Sequence, residues 1–214
     1  MAPGYACAVA QRIFLLSPAN CSGERASVLL RPEASFELAR RVKSREGAPL
    51  GEVFAFLSGL YFRGKLTYAL TFARSTEELP GVYVITTNRG LRPPHEPIRI
   101  AGLRRFAAVP IDSKEPRYRR PLLRDARALA GRLDSDAEIV LLGSIATGKY
   151  VDVLGAAFGS RLLFPTEFVG RGDMSRGGLM LRRAREGREL TYAPILGAER
   201  HGRRPPRLPK LARR

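Results

Sequence analysis

The sequence predicts a single α/β domain over residues 1–198, a three-layer fold with a mostly parallel sheet and helices on both faces. A basic Pro/Arg-rich tail over 199–214, expected to be disordered, follows it. Three observations carry this prediction. Short apolar runs recur along the chain, of the kind seen in strands buried on both faces. Between them lie stretches whose apolar residues return at helical spacing. The clearest run, 139–142 (IVLL), ends at Gly143 in a small-residue turn that leads into a helix. Strand, glycine turn and helix make half of a βαβ unit, the building block of a parallel sheet.

The elements follow in order. Residues 12–16 (RIFLL) read as the first core strand. Ser17, Pro18, Asn20, Ser22 and Gly23 after it are turn formers. A loop at the end of an early strand in an α/β fold is a usual wall of a ligand crevice, which makes Asn20 a candidate contact. Pro32 and Glu33 are expected to open a helix with Phe36, Ala39 and Val42 on one face. Residues 44–49 are loop. Residues 53–57 fit strand and helix equally, and Ser58-Gly59 breaks whichever forms. Leu66, Ala69, Leu70 and Ala73 mark a helix beyond the break. Tyr61, Arg63 and Lys65 lie at the break, an aromatic beside two cations. That mix suits base stacking with phosphate contact, and equally a core aromatic with two solvated cations.

Residues 81–87 (GVYVITT) have the highest β-branched content of any candidate strand. They run into NRGLRPPHEP, which places Arg89, Arg92 and His95 just past the carboxyl end of the strand. Nothing near His95 in the sequence would orient it as an acid or base. Residues 103–120, with their RRF and PRYRRP elements, read as a basic, irregular excursion over the sheet. Leu122, Leu123, Ala126, Leu129, Ala130 and Leu133 form an amphipathic helix, with Arg124, Arg127 and Arg132 on its other side. After the strand at 139–142, Tyr150, Val153, Leu154 and Ala157 repeat at helical spacing and Gly159 closes the helix. Residues 161–164 (RLLF) are another strand, 165–178 a long glycine loop, 179–185 a helix and 190–195 a final strand.

Two turns lead from strand to helix and so can offer free N–H groups to an anion. The first, with Ser144, Thr147 and Lys149, spells Gly143-x-x-x-x-Gly148-Lys149, most of a P-loop. Tyr150 stands where a P-loop needs a Ser or Thr to bind Mg²⁺, so ATP or GTP hydrolysis is not expected. The second, at 170–176, holds Arg171, Asp173, Ser175 and Arg176. Its RGD triplet would concern cell adhesion only in a secreted protein. Asp173 or Ser175 suits a helix N-cap, and Arg171 and Arg176 suit a fork onto a phosphate or carboxylate.

Charge is the strongest compositional signal. The 214 residues carry 37 Lys and Arg against 20 Asp and Glu, a net charge of +17. Residues 199–214 hold seven basic residues and one acidic, so the rest of the chain is still +11. Such a potential attracts polyanions; an Arg-rich codon bias would produce the same composition without function. No apolar run reaches the ~18 residues of a membrane span. The start, MAPGYACAVAQRIFLL, has no basic n-region and is interrupted by Arg12, so the chain reads as cytoplasmic. Cys7 and Cys21 are too few for a disulfide framework, and with only His95 and His201 no zinc spacing appears. No cofactor or metal is expected.

The early SPANCSGERA loop, the SGLYFRGKLTYA segment, the VITTNRGLRPP strand and loop, and the strand-GKYVDVL element ahead of the GRGD region occur in a suggestive order. That order resembles uncharacterised bacterial domains related to the peroxide-stress protein YaaA. It also resembles the uncharacterised domain of archaeosine synthase and proteins of the 7-deazaguanine DNA-modification systems. The likeness spans roughly residues 13–185. It implies an α/β fold and a setting of nucleic-acid binding or base modification. The chain departs from those domains at Arg25, where a lysine is expected, and at residues 86–91 (TTNRGL), where SAxYGL is expected. Pro18 and Cys21 are separated rather than paired, so amidotransfer chemistry does not carry over.

The function expected from all this is a nucleic-acid-associated protein that holds a nucleotide or phosphate backbone on its strand-end loops. Asn20, Arg25, Tyr61, Arg63, Arg89, Ser144, Thr147, Lys149, Tyr150, Arg171, Asp173 and Arg176 are the candidate ligand contacts. An enzyme acting on a nucleobase or nucleoside is the alternative, with Asp173 as candidate catalytic group beside Tyr150 and Arg89. A nucleotide sensor without catalysis is the third. No paired carboxylates, Ser/His/Asp set or metal cluster names a reaction.

Overall fold

A computed structural model of the chain describes residues 10–206 and Leu208. Cys7 with the rest of the N-terminal stretch, and the end of the basic tail including Arg213, lie outside the described residues. The six-stranded sheet consists of β1 (Arg12–Leu16), β3 (Val82–Ile85), β4 (Leu91–Arg92), β6 (Glu138–Leu142), β7 (Leu162–Pro165) and β8 (Tyr192–Pro194). Its order is β4-β3-β1-β6-β7-β8. The four inner strands are parallel, and the two short edge strands are antiparallel to their neighbours. The fold is therefore α/β with a mostly parallel sheet. A separate ribbon pairs β2 (Ala48–Pro49) with β5 (Pro97–Ile98).

β1 lies between two parallel neighbours, with Phe14 opposite Val82 on one side and Val140 on the other. Both its faces are covered, which is why it reads as an unbroken apolar run. Alternation sends Phe14 and Leu16 into one core and Ile13 and Leu15 into another. The first core is closed by α1 (Glu24–Leu30), α2 (Glu37–Lys43), α3 (Leu50–Ser58), α4 (Leu60–Phe72), α5 (Ile100–Ala107) and α8 (Asp173–Glu186). The second is closed by α6 (Pro116–Ala130) and α7 (Gly148–Phe158). These are the three layers.

The structure differs from the sequence reading at several elements, each for a physical reason. Pro32 and Glu33 do not open a helix; they lie in the turn between α1 and α2. Phe36, at the α2 N-cap, is partly exposed and stacks on Phe56 with ring centroids 5.4 Å apart. α1 was hidden because only Ala26 and Leu29 of its seven residues are buried. The ambiguous 53–57 run is helix, part of α3, and Gly59 (φ 60°) makes the break before α4. Tyr61, Arg63 and Lys65 are therefore inside α4, with Tyr61 and Lys65 buried. Residues 103–120 are not irregular. α5 anchors through Leu103 and Phe106 while Arg104 and Arg105 face solvent. α6 begins at Pro116, capped by the Glu115 side chain accepting from Arg117 N.

The largest revision is at 165–178. α8 starts at Asp173, so the Gly177-Gly178 pair is helical rather than loop. Helix propensity alone disfavours those glycines; a close crossing with α4 requires one. A Cβ on Gly177 would lie 2.7 Å from the Leu60 carbonyl oxygen, and one on Gly64 would lie 2.6 Å from the Gly177 carbonyl oxygen. Arg161 belongs to a 3-10 turn (Gly159–Arg161), and β7 begins at Leu162. Part of the expected tail runs beside the start of α8, where Arg171 Nη1 donates to the Pro206 carbonyl at 3.4 Å. Among the described residues, no helix is long and apolar enough to cross a membrane.

Candidate functional site

Parallel strands bring their carboxyl ends to one rim of the sheet, and the loops there form a crevice. Ser17 is the first residue beyond β1, and its N–H donates to the Leu142 carbonyl at 3.1 Å, extending the β1–β6 ladder by one rung. Gly143 turns the chain beside it; a Cβ there would stand 3.0 Å from Ser17 Cβ. The chain then enters α7, whose first turn is braced by Tyr118 Oη donating to the Lys149 carbonyl at 3.0 Å. α8 begins on the same rim.

These elements enclose a pocket of about 310 Å³. β1 and its loop give it Ser17, Pro18, Ala19 and Asn20; Ser58 and Tyr61 come from α3 and α4; and Ser144, Lys149 and Tyr150 come from the β6–α7 segment. Ile111 and Asp173 complete it. Six of the residues expected to bind ligand therefore meet in one place: Asn20, Tyr61, Ser144, Lys149, Tyr150 and Asp173.

The lining of this pocket is mixed, with polar side chains held in buried surroundings. Burial pushes the Tyr61 hydroxyl up to about 12 and raises Tyr150 further. Tyr61 Oη is buried and, among the described residues, makes no well-formed hydrogen bond, although Ser17 and the Arg176 guanidinium lie near enough to oppose the effect of burial on it. Lys65, one turn along α4, is 1% exposed. Its Nζ donates to the Ser17 carbonyl at 2.6 Å and to Ser17 Oγ at 2.8 Å. The rings of Tyr61 and Phe62 lie 4.4 Å and 4.8 Å from the ammonium. Burial lowers its pKa to about 7, opposed by the Asp173 carboxylate.

The other expected contacts lie elsewhere. Arg25 and Arg63 border an adjoining hollow that shares Ser58 with the pocket, and Arg25 Nη1 donates to the Phe56 carbonyl at 3.1 Å. Arg171 donates to the Glu167 carbonyl and to Ser175 Oγ, at 3.0 Å and 3.2 Å. Arg176 clasps the Phe168 carbonyl through Nε and Nη2, with Nη1 3.5 Å from Asp173. Both arginines thus fork onto their own loop. Thr147 is the exposed N-cap of α7, and its side chain makes no cap bond. His95 is exposed in the turn before β5 and does not line the pocket.

Arg89 borders a cleft of about 700 Å³ together with Asn88, Arg105, Arg117 and Arg120. Arg89 is paired with Glu96 and Arg117 with Glu115. Among the described residues, Arg105 and Arg120 have no carboxylate within 4 Å. Asn88 Nδ2 donates to the Arg105 carbonyl and Thr87 Oγ1 to that of Phe106, fixing the α5 end against the β3 loop. A middle hollow of about 360 Å³ lies between the two regions: it shares Val109 with the arginine cleft, and Ala19, Asn20 and Ile111 with the pocket.

Two residues of the site were missed or misread in the sequence. Ser17 was read only as a turn former. Lys65 was read as a cation at a helix break, although it falls four residues after Tyr61 and three before Tyr68, on the buried face of one helix. No family model matches the chain, and neither the curated proteins nor the solved structures compared with it include a match.

Proposed function

We propose that the protein is nucleic-acid-associated, laying a single-stranded backbone along the arginine cleft and holding one nucleotide in the strand-end pocket. The observation that carries this is the shared wall: cleft, middle hollow and pocket follow one another along the rim. Arg105 and Arg120, with no carboxylate partner among the described residues, supply phosphate contacts at one end. Lys149 supplies a cation at the other, with the start of α7 beside it. A pocket of about 310 Å³ is at the small end of ligand sites and suits a single nucleotide unit. The net charge of +17 and the resemblance to base-modification domains support the same reading.

A second reading, an enzyme acting on a nucleobase or nucleoside, is favoured by Asp173 and Tyr150 sharing the pocket. Arg89, cast with them from sequence, borders the arginine cleft instead.

The test is fluorescence anisotropy with a labelled single-stranded oligonucleotide. Replacing both Arg105 and Arg120 with Ala should weaken binding about ten-fold or more and flatten its salt dependence. The control pair is Arg185→Ala with Arg188→Ala. Arg185 is exposed in the last turn of α8, about 18 Å along the helix from Asp173, and Arg188 is exposed just past its Gly187 C-cap. Equal losses from the two pairs would mean a diffuse electrostatic surface and would defeat the proposal.

A further inference from the structure

Ser17 lines the pocket; Lys65 lies behind it and does not. Lys65 Nζ is 2.8 Å from Ser17 Oγ, and among the described residues no carboxylate lies within 4 Å of that nitrogen. A lysine so placed is positioned to work on the serine hydroxyl and is screened from the ligand. We propose that Ser17 is a nucleophile and Lys65 its general base, acting on a phosphodiester held in the strand-end pocket.

With its pKa lowered to about 7, much of Lys65 is neutral amine at physiological pH. That amine has a lone pair for the Ser17 proton. The charged and titratable groups facing the pair are Tyr61 on the same helix, Lys149 and Tyr150 from α7, and Asp173 and Arg176 from α8. Both tyrosines are pushed further from neutrality, so they stay protonated while Lys65 titrates. The buried Tyr61 hydroxyl, which lies beside Ser17 at the pocket wall, and the Lys149 ammonium are donors for the non-bridging oxygens.

In the reaction, the Ser17 Oγ–P bond forms as the phosphodiester P–O bond breaks. The bonding pair leaves on one alkoxide, which takes the proton that Lys65 removed from Ser17, and the other ester group stays on phosphorus as a seryl phosphodiester. Water then attacks that phosphorus and gives a proton to Lys65; the Oγ–P bond breaks, Ser17 Oγ takes the proton from Lys65, and a phosphomonoester is released. The choice of a phosphodiester rests on the nucleic-acid reading; the Ser17–Lys65 pair does not.

The experiment treats the full-length protein with a tagged fluorophosphonate, in which fluoride leaves as Oγ bonds to phosphorus, and maps the adduct by mass spectrometry. The expected result is labelling at Ser17 whose rate rises between pH 6 and 8 with a midpoint near 7. Ser17→Ala should abolish the label, and Lys65→Met should slow it about 100-fold or more. No label at Ser17, or an unchanged rate in Lys65→Met, overturns the pair. Should Lys65→Met fail to melt cooperatively, the wild-type pH profile decides, and a rate flat across pH 6 to 8 overturns the proposal. The substrate class is read with bis(4-nitrophenyl) phosphate, whose hydrolysis should require Ser17. Turnover of 4-nitrophenyl acetate without turnover of the diester overturns the phosphodiester assignment. Equal losses of oligonucleotide binding from the two arginine pairs would remove the nucleic-acid reading while leaving Ser17 labelling intact, so the two failures are separable.

Discussion

A buried lysine costs free energy whenever it carries a charge, because water that would solvate the ammonium is replaced by protein. Lys65 recovers part of that cost from two Ser17 oxygens and two aromatic rings. The remainder appears as pH dependence. The folded pKa is about 7, below the ordinary 10.5. Between those values the unfolded chain binds a proton that the native protein does not, so stability rises with pH across that window. Below pH 7 both states are protonated and this gain is absent. Above pH 10 the sign turns: unfolded tyrosines ionise while Tyr61 and Tyr150, raised by burial, do not. Urea midpoints should therefore climb from pH 7 to 9 in the wild type, and Lys65→Met should remove most of the climb. A midpoint independent of pH would show that Lys65 is not buried as a charge-sensitive group. This residue was accessible in the sequence through its spacing from Tyr61 and Tyr68. It was read as a surface cation because lysine is almost never buried without a partner, and helical spacing alone does not show which lysine breaks that rule.

Among elements, the α4–α8 crossing holds the site together, since Lys65 and Tyr61 lie on one helix and Asp173 begins the other. Gly64 and Gly177 let the two backbones approach. Gly64→Ala puts a methyl 2.6 Å from the Gly177 carbonyl oxygen, a clash with backbone that only helix displacement can relieve. A cost of about 1–3 kcal/mol is expected, read as a fall of several degrees in Tm. Gly155 in α7 is the comparison. A Cβ there meets nothing within 4 Å, so Gly155→Ala should leave Tm unchanged or raise it. Equal effects at the two positions would show that the crossing tolerates a side chain. The same crossing explains why α8 was half-hidden: Gly177 and Gly178 look like loop in sequence, and the partner that makes them helical is more than 100 positions away. β1 and β6 were legible because burial on both faces writes an unbroken apolar run. α1 and α5 were not, because each anchors through two or three residues and turns arginines or serines to solvent.

At the scale of the whole molecule, parallel topology was legible from the repeated strand-turn-helix grammar, and with it the expectation that strand-end loops would share a rim. Asn20, Ser144, Lys149 and Asp173 meet there despite their separation in the chain. What the sequence could not show is how far each loop leans. Arg171 and Arg176 fold back onto the Glu167 and Phe168 carbonyls, and Arg89 lies with the arginine cleft. The position of β1 has a further consequence, for the time it takes to make the protein. Among the described strands, β1, between β3 and β6, is synthesised first, and its Arg12 pairs with Glu138, 126 positions later. At roughly 5–20 residues per second, synthesis needs about 6–25 seconds to supply that partner. Until β3 is made at Val82–Ile85 both edges of β1 are open, and from then until β6 one edge remains so. Ribosome-bound chains arrested before residue 138 should remain open to protease around residues 12–16 and be held by chaperones. Chains arrested after β6 and α7 have emerged should become resistant. Protection at the shorter length would show that β1 finds a stable place without its second neighbour.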